Sequence, residues 1–408
     1  MTLNGGNPKQ LLEYVSQNIP YYKGLNSSSI EDFPIITKHQ IRQNYEKFIS
    51  DKYDRKDFIV DILNGEKIKT HGWYNETQVF ENIVVEETSG TSGIPFLCFK
   101  TKKERAQLAL SLWKARRQNN RNISPSNLFL FSHTGMNKEN PRAYDYNIEH
   151  LIDLYNQIIK GGFVGIHGTP TAFINHINSL KKQNVKLDFS KIKYIECTGS
   201  YLSTEAQNEI EEFYDANVIN EYGTIETWPI GFGIKNNEII VNTESIYLEL
   251  IDDFGNVIKD IGKKGMVVVT TLMCKTMPFV RYSLGDYAEY ISIGQQNKVI
   301  KLLEGREINI VKGFSPKVYG NQFFLNAIKT VCLNEKFNIS YVKIIQSKMD
   351  CFIIEINFID NSERFMQKFN SFIRKNLRKD IKIKYKFLMD EEIECRKYEK
   401  PNIFICKC

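Results

Sequence analysis

The chain has 408 residues, 42% apolar and 25% charged, too long for one ordinary core and suited to a large domain plus a smaller one. Its longest apolar runs, such as Gly265–Met273, fall far short of the ~20 residues of a membrane helix, and residues 1–10 lack the apolar core of a secretory signal, so a cytoplasmic protein without a membrane span is expected. A net charge of +6, from 54 basic and 48 acidic residues, is too slight an excess to argue for nucleic acid.

In chain order, Leu11–Ile19 carries a helical apolar stripe that Asn18-Ile19-Pro20 ends, and Thr37 reads as the N-cap of a second helix. Ile83–Glu87 is a strand candidate running into a glycine-rich loop, followed by a long helix over Lys102–Gln118. Short apolar strands at Asn127–Phe131, Val164–Gly168, Tyr194–Cys197 and Asn217–Tyr222 alternate with helical stretches, the pattern of an α/β domain with a mainly parallel sheet. From about 237 to 302 the texture becomes β-rich, with strands at Glu238–Val241, Ser245–Ile251, Gly265–Leu272, Tyr287–Ile291 and Lys298–Leu302 and a hairpin turn at 253–256. Tyr341–Gln346, Cys351–Phe358, Ser362–Leu377 (a helix) and Ile381–Leu388 then read as a small α+β domain. The expected division is 1–304 and 305–408.

Eight cysteines, none in CxxC spacing, argue for buried reduced thiols rather than a zinc ribbon or disulfide framework. The terminal Cys406-Lys407-Cys408 reads as a frayed tail, with metal binding the weaker alternative.

The strongest motif is Thr88-Ser89-Gly90-Thr91-Ser92-Gly93-Ile94-Pro95, directly after a strand. Small residues let the backbone approach a phosphate chain, and hydroxyls and N–H groups supply donors. It lacks the Gly-Lys-Ser/Thr ending of a Walker loop.

This run resembles the phosphate loop of the adenylate-forming superfamily, which comprises acyl-CoA synthetases, luciferases and peptide-synthetase adenylation domains. Tyr222-Gly223-Thr224-Ile225-Glu226 is similar to that family's Tyr-Gly-x-Thr-Glu, and Arg281-Tyr282-Ser283-Leu284-Gly285-Asp286 to its Arg-Tyr-x-x-Gly-Asp. Gly305-Arg306 matches the Gly-Arg of the interdomain hinge, in the same order. Ile19-Pro20-Tyr21-Tyr22, Pro34-Ile35-Ile36-Thr37-Lys38, Gly168-Thr169-Pro170-Thr171 and the 269–282 segment look most like the phenylacetate–CoA ligase branch and its capsular-polysaccharide-associated relatives.

The resemblance implies a large domain, a small mobile C-terminal domain, and use of ATP and Mg2+, with CoA as the default acceptor. It implies Glu226 as the magnesium ligand, Tyr222 near adenine, Asp286 on the ribose hydroxyls and Arg306 at ribose or phosphate. Gly199, Ser200, Gly223 and Thr224 join the 88–93 loop as nucleotide contacts. Cys395-Arg396-Lys397-Tyr398-Glu399-Lys400 is similar to the family's terminal Pro-Arg-Ser/Thr-x-Gly-Lys and selects Lys400 as the catalytic lysine. The acyl pocket falls at Phe131, His133, Gly168, Tyr201 and Trp228, whose aromatics suit a small or flat acid and suit core packing equally. His133 and His167 read as ordinary hydrogen-bonded histidines, since an ionised carboxylate needs no general base.

Three departures bear on function. Ile225 stands where the family has threonine, with Thr224 as a substitute hydroxyl. Ile308 and Ser315 replace the hinge's acidic pivot and glycine, which opens the choice of acceptor. Residues 233–243 hold no Cys or His, so no zinc is expected. The leading reading is ATP-dependent activation of a small carboxylic acid as acyl-AMP with transfer to CoA. The alternatives are transfer to a carrier protein, another protein or an amino sugar, and a non-catalytic nucleotide-binding protein. A dimer stays open.

Overall fold

The computed structural model describes residues 7–25, 27–53, 78–80, 82–88, 96–131, 148–233, 235–294, 298–303, 311, 321–332, 337, 339, 341–357, 362–377, 380–389, 392–393 and 404–406. The chain divides into two compact units, residues 1–284 with 288–303 and residues 285–287 with 304–408.

In the larger unit, helix α1 (Pro8–Asn18) starts at an Asn7 cap with proline at its first turn and buries Leu11, Leu12 and Val15. Thr37 caps α2 (Lys38–Arg42) as predicted, in a reciprocal box with Gln40 that fixes Lys38 as the first helical residue. Helix α3 (Tyr45–Phe48) follows.

Strands β1 (Gln78–Phe80), β2 (Ile83–Glu87) and β3 (Leu97–Thr101) form an antiparallel sheet. Strand β3 is not anticipated from the sequence, where β2 leads through the glycine-rich loop to the next helix. All five β3 residues are buried, so the strand carries no alternation to announce it. Helix α4 (Lys102–Asn119) starts in a second capping box, Thr101 with Glu104.

The parallel part of the main sheet is β4 (Leu128–Leu130), β5 (Gly165–Gly168), β6 (Tyr194–Thr198) and β7 (Asn217–Thr224). Helices α5 (Ile148–Lys160), α6 (Pro170–Lys182) and α7 (Thr204–Tyr214) lie between these strands in sequence and bury apolar side chains in one shared core. Antiparallel strands continue the sheet: β8 (Trp228–Gly233), β9 (Glu238–Val241), β10 (Ile246–Ile251), β11 (Lys264–Thr271), β12 (Tyr282–Ile293) and β13 (Lys298–Leu302). Spatial order is β10-β11-β12-β13-β9-β8-β7-β6-β5-β4. The switch from parallel to antiparallel pairing falls at β7–β8. Strand β12 begins five residues earlier than the sequence suggests, because Tyr282–Asp286 is itself extended.

The smaller unit holds helices α8 (Asn321–Cys332) and α9 (Ser362–Asn376) and strands β14 (Val342–Lys348), β15 (Cys351–Asn357), β16 (Lys382–Leu388) and β17 (Phe404–Cys406), in the order β16-β15-β14-β17. At Cys406 the expectation of a frayed tail is corrected by β17, while 407–408 lie outside the described residues. The strand pairs in parallel with β14, Phe404 stacks on Phe324 at 4.7 Å, and Cys406 is buried. The mixed α/β class with a small α+β unit is as expected. Among the described residues the cysteines are free thiols, and no helix is long and apolar enough to cross a membrane.

Candidate active site

Strands β5, β6 and β7 run in parallel register, Gly168 beside Cys197 and Thr198 beside Glu221, so their C-terminal ends bring Gly168, Gly199-Ser200 and Tyr222 onto one edge. Ligands in open α/β sheets bind outside the carboxyl ends of parallel strands such as these. Gly199 has φ +79°, a left-handed conformation that costs glycine nothing. Among the described residues, the buried Ser200 Oγ has no hydrogen-bond partner, so the edge holds a hydroxyl that a polar ligand would satisfy.

Beyond Tyr222 the chain reverses tightly. The Thr224 and Thr227 hydroxyls are 2.9 Å apart, and Thr227 N–H donates to Thr224 Oγ1 at 3.2 Å. A Cβ on Gly223 would lie 2.8 Å from the Trp228 carbonyl oxygen, so only glycine fits there. The reversal carries Glu226 at 5% exposure.

Glu226 Oε1 accepts from Lys38 Nζ at 3.0 Å and from the Tyr282 hydroxyl at 3.1 Å. The same ammonium reaches Thr88 Oγ1 at 3.3 Å, and it sits 4.9 Å from the centre of the Phe96 ring. Burial alone would raise the Glu226 pKa; the Lys38 charge and these hydrogen bonds outweigh it and hold the carboxyl below its ordinary range. An ionised carboxylate is therefore stationed beside the first residue of the Ser/Thr/Gly loop. This is a donor set suited to a hard cation whose other ligands are phosphate oxygens.

Behind this turn lies a buried charged group. Glu86 accepts from Lys100 at 2.8 Å, from the Trp228 indole at 2.9 Å and from Arg105 at 3.0 Å, and Lys100 also donates to the Ile225 carbonyl at 3.1 Å. The expectation that Trp228 lines the acyl pocket therefore meets an indole packed in the core and hydrogen-bonded to Glu86. Phe131 likewise is fully buried among Phe129, Tyr155, Phe173 and His176.

A second buried cluster underlies the strand ends. Arg116 binds Glu196 through Nε at 3.0 Å and Glu221 at 3.2 Å, Tyr194 donates to Glu196 at 2.5 Å, and His167 Nε2 lies 3.6 and 3.5 Å from the two carboxylates. His167, Glu196 and Glu221 have the spacing of a metal triad, but the Arg116 guanidinium already supplies the cation. Burial raises the Glu196 pKa to about 7, with Glu221 adding to the rise and Arg116 opposing it. Burial lowers that of His167 to about 4.

These two shifts act oppositely on stability. Folded Glu196 keeps a proton that the unfolded chain has lost, so stability falls as pH rises from about 4.5 to about 7. Folded His167 has lost a proton that the unfolded chain keeps, so stability rises from about pH 4 to 6.5. Across the shared window the slopes cancel. His167→Gln removes the rising limb, and the variant is expected to lose stability steadily between about pH 4.5 and 7, read as urea midpoints. A profile parallel to that of the wild type would contradict this proton balance.

Among the predicted site residues, Thr88, Glu226 and the 222–224 segment come together through Lys38 and the turn, with Gly168, Gly199 and Ser200 along the same strand edge. Tyr201 follows on that edge at 43% exposure. Asp286 stands on β12, within the residues that group with the smaller unit. Ser89, Gly90, Thr91, Ser92, Gly93, His133, Arg306 and Lys400 lie outside the described residues. Lys38 and Tyr282 were missed as site residues, although both ended or lay within motifs already singled out; only the fold shows that they converge on Glu226.

No protein-family model matches the chain. It is 21% identical over 413 residues to protein CapK of Staphylococcus aureus, covering 93% of this chain and 81% of that protein. Among solved structures, 2-hydroxyisobutyryl-CoA ligase in its postadenylation state with R3-HIB-AMP matches 98% of this chain and 88% of its own, at TM-score 0.63 and 14% identity. The chain has the fold of the adenylate-forming acyl-CoA ligases. The same ligase with 2-HIB-AMP and CoA in the thioesterification state matches with TM-score 0.56 and 16% identity, over 98% and 87% of the two chains. Within this fold the Arg-Tyr-x-x-Gly-Asp run divides its tasks. Arg281 binds Glu249 and the carbonyls of Glu31 and Phe33, which pins the N-terminal segment to the sheet, while Tyr282 serves Glu226.

Proposed function

We propose that the protein uses ATP to activate a small carboxylic acid as an acyl-AMP, releasing pyrophosphate, and then passes the acyl group to a thiol, with CoA as the default acceptor. The observation that supports this most is the buried, ionised Glu226, fixed by Lys38 and Tyr282 next to Thr88. Joining a carboxylate to the α-phosphorus brings two anions together, so the site must station positive charge where charge develops. Glu226 and the Thr88 hydroxyl would hold Mg2+, which supplies charge neutralisation on the phosphates. Lys38, on the first turn of α2, orients Glu226 and offers a second positive charge to the nucleotide. Tyr222, Gly199 and Ser200 would receive the adenine side of AMP, and Asp286 its ribose. In this reading residues 305–408 form the small domain, Arg306 contacts the nucleotide from its hinge, and Lys400 neutralises charge between carboxylate and α-phosphate.

A second reading keeps adenylation and changes the acceptor to a carrier protein, another protein or an amino sugar. The replacement of both hinge residues by Ile308 and Ser315 favours it. ATP–pyrophosphate exchange across a panel of carboxylic acids tests the first half-reaction, and thioester formation on adding CoA tests the second. Exchange with at least one acid is expected. Exchange without CoA thioester supports the second reading, and ATP binding without exchange for any acid would overturn both.

A further inference from the structure

Glu86 and Lys100 share one face of the β2–β3 hairpin, since Glu86 pairs with Cys98 and Lys100 lies two residues beyond it. Both side chains are buried and bonded to each other at 2.8 Å. A buried ion pair gains little over apolar side chains of the same size, so stability is a poor reason for it. Its remaining contacts give a better one. Lys100 holds the Ile225 carbonyl and Glu86 holds the Trp228 indole, and these residues flank Glu226 on either side. Trp228 has φ +62°, a conformation a bulky side chain keeps only where its surroundings impose it. The same hairpin strand, β2, runs directly into Thr88, which shares the Lys38 ammonium with Glu226.

We infer that Glu86 and Lys100 form a positioning pair that sets the Glu226 carboxylate at a fixed separation from Thr88, so that metal–nucleotide affinity depends on two residues that touch neither. The inference rests on the reading of Glu226 as a magnesium ligand. An apolar pair could fill the same volume, but it could not grip a carbonyl and an indole N–H together. Groups behind a metal ligand characteristically tune affinity in this way.

Calorimetric titration of MgATP, and of AMP without metal, into the full-length wild type, Lys100→Met and the double variant Glu86→Gln/Lys100→Met tests it. Lys100→Met is expected to weaken MgATP binding roughly 10- to 100-fold and leave AMP binding unchanged. In the double variant no lone charge is buried, so its thermal midpoint should return toward that of the wild type while the MgATP loss persists. If MgATP affinity instead recovers together with the midpoint, or if AMP and MgATP weaken alike, the pair is only structural and the inference fails. Wild type that binds AMP but gains nothing from Mg2+ would overturn the metal reading of Glu226 and this inference with it.

Discussion

Glu226→Gln is expected to lower ATP–pyrophosphate exchange by roughly 100- to 1,000-fold with little change in thermal midpoint. The substitution keeps the side chain's size and leaves an amide oxygen for the Tyr282 hydroxyl and Lys38 to donate to. It removes the negative charge that a hard cation needs. Lys38 loses its counter-charge, but its side chain is 35% exposed and can rehydrate, so the cost to folding is small. Raising Mg2+ should recover part of the lost rate, since the phosphate oxygens still bind the ion. Near-normal exchange in this variant would remove Glu226 from the metal site.

Arg116→Met carries the largest expected effect on stability, a loss of about 3–5 kcal/mol and a fall in midpoint on the order of 10 °C. Arg116 is 1% exposed and stands between two buried carboxylates, Glu196 and Glu221, with its guanidinium 4.8 Å from the Trp113 ring centre. Methionine restores the volume of the stem and none of the charge. Two acids then face each other in a dry site and must take up protons or repel. The deficit should shrink as pH falls toward about 7, because Glu196 already binds a proton below that pH in the wild type. Lys114→Ala on the same helix is the control. Lys114 is 57% exposed and pairs with Glu244, so its loss should change stability by less than about 1 kcal/mol. Equal effects for the two variants would show that the buried cluster is not energetically special.

Much of the architecture was legible because period and punctuation act locally. Thr37 and Thr101 each precede a helix and have a Gln or Glu three residues on, and both boxes form. The alternation of short apolar strands with amphipathic helices gives β4 to β7 their parallel order. β3 and β17 were illegible for opposite reasons. β3 is buried on both faces and shows no period, and β17 is three residues that form a strand only because β14 offers an edge.

The site divides the same way. Glu226 stood out because its carboxylate ends a motif, whereas Lys38 sits 188 residues away and meets it only through the fold. Glu86, Lys100, Glu196 and Arg116 were equally silent, since a charged residue in a sequence reads as surface until its partners are known. Trp228 stayed open between pocket wall and core packing for a related reason. An indole next to a motif reads as a pocket wall, and its N–H is spent on Glu86.

Isotope transfer tests the proposed attack of a carboxylate oxygen on the α-phosphorus of ATP. With the acid that the exchange assay selects, labelled with 18O in its carboxylate, and an acyl acceptor present, one labelled oxygen is expected in each AMP released and none in pyrophosphate. Unlabelled AMP, or label appearing in orthophosphate with ADP as co-product, would contradict it.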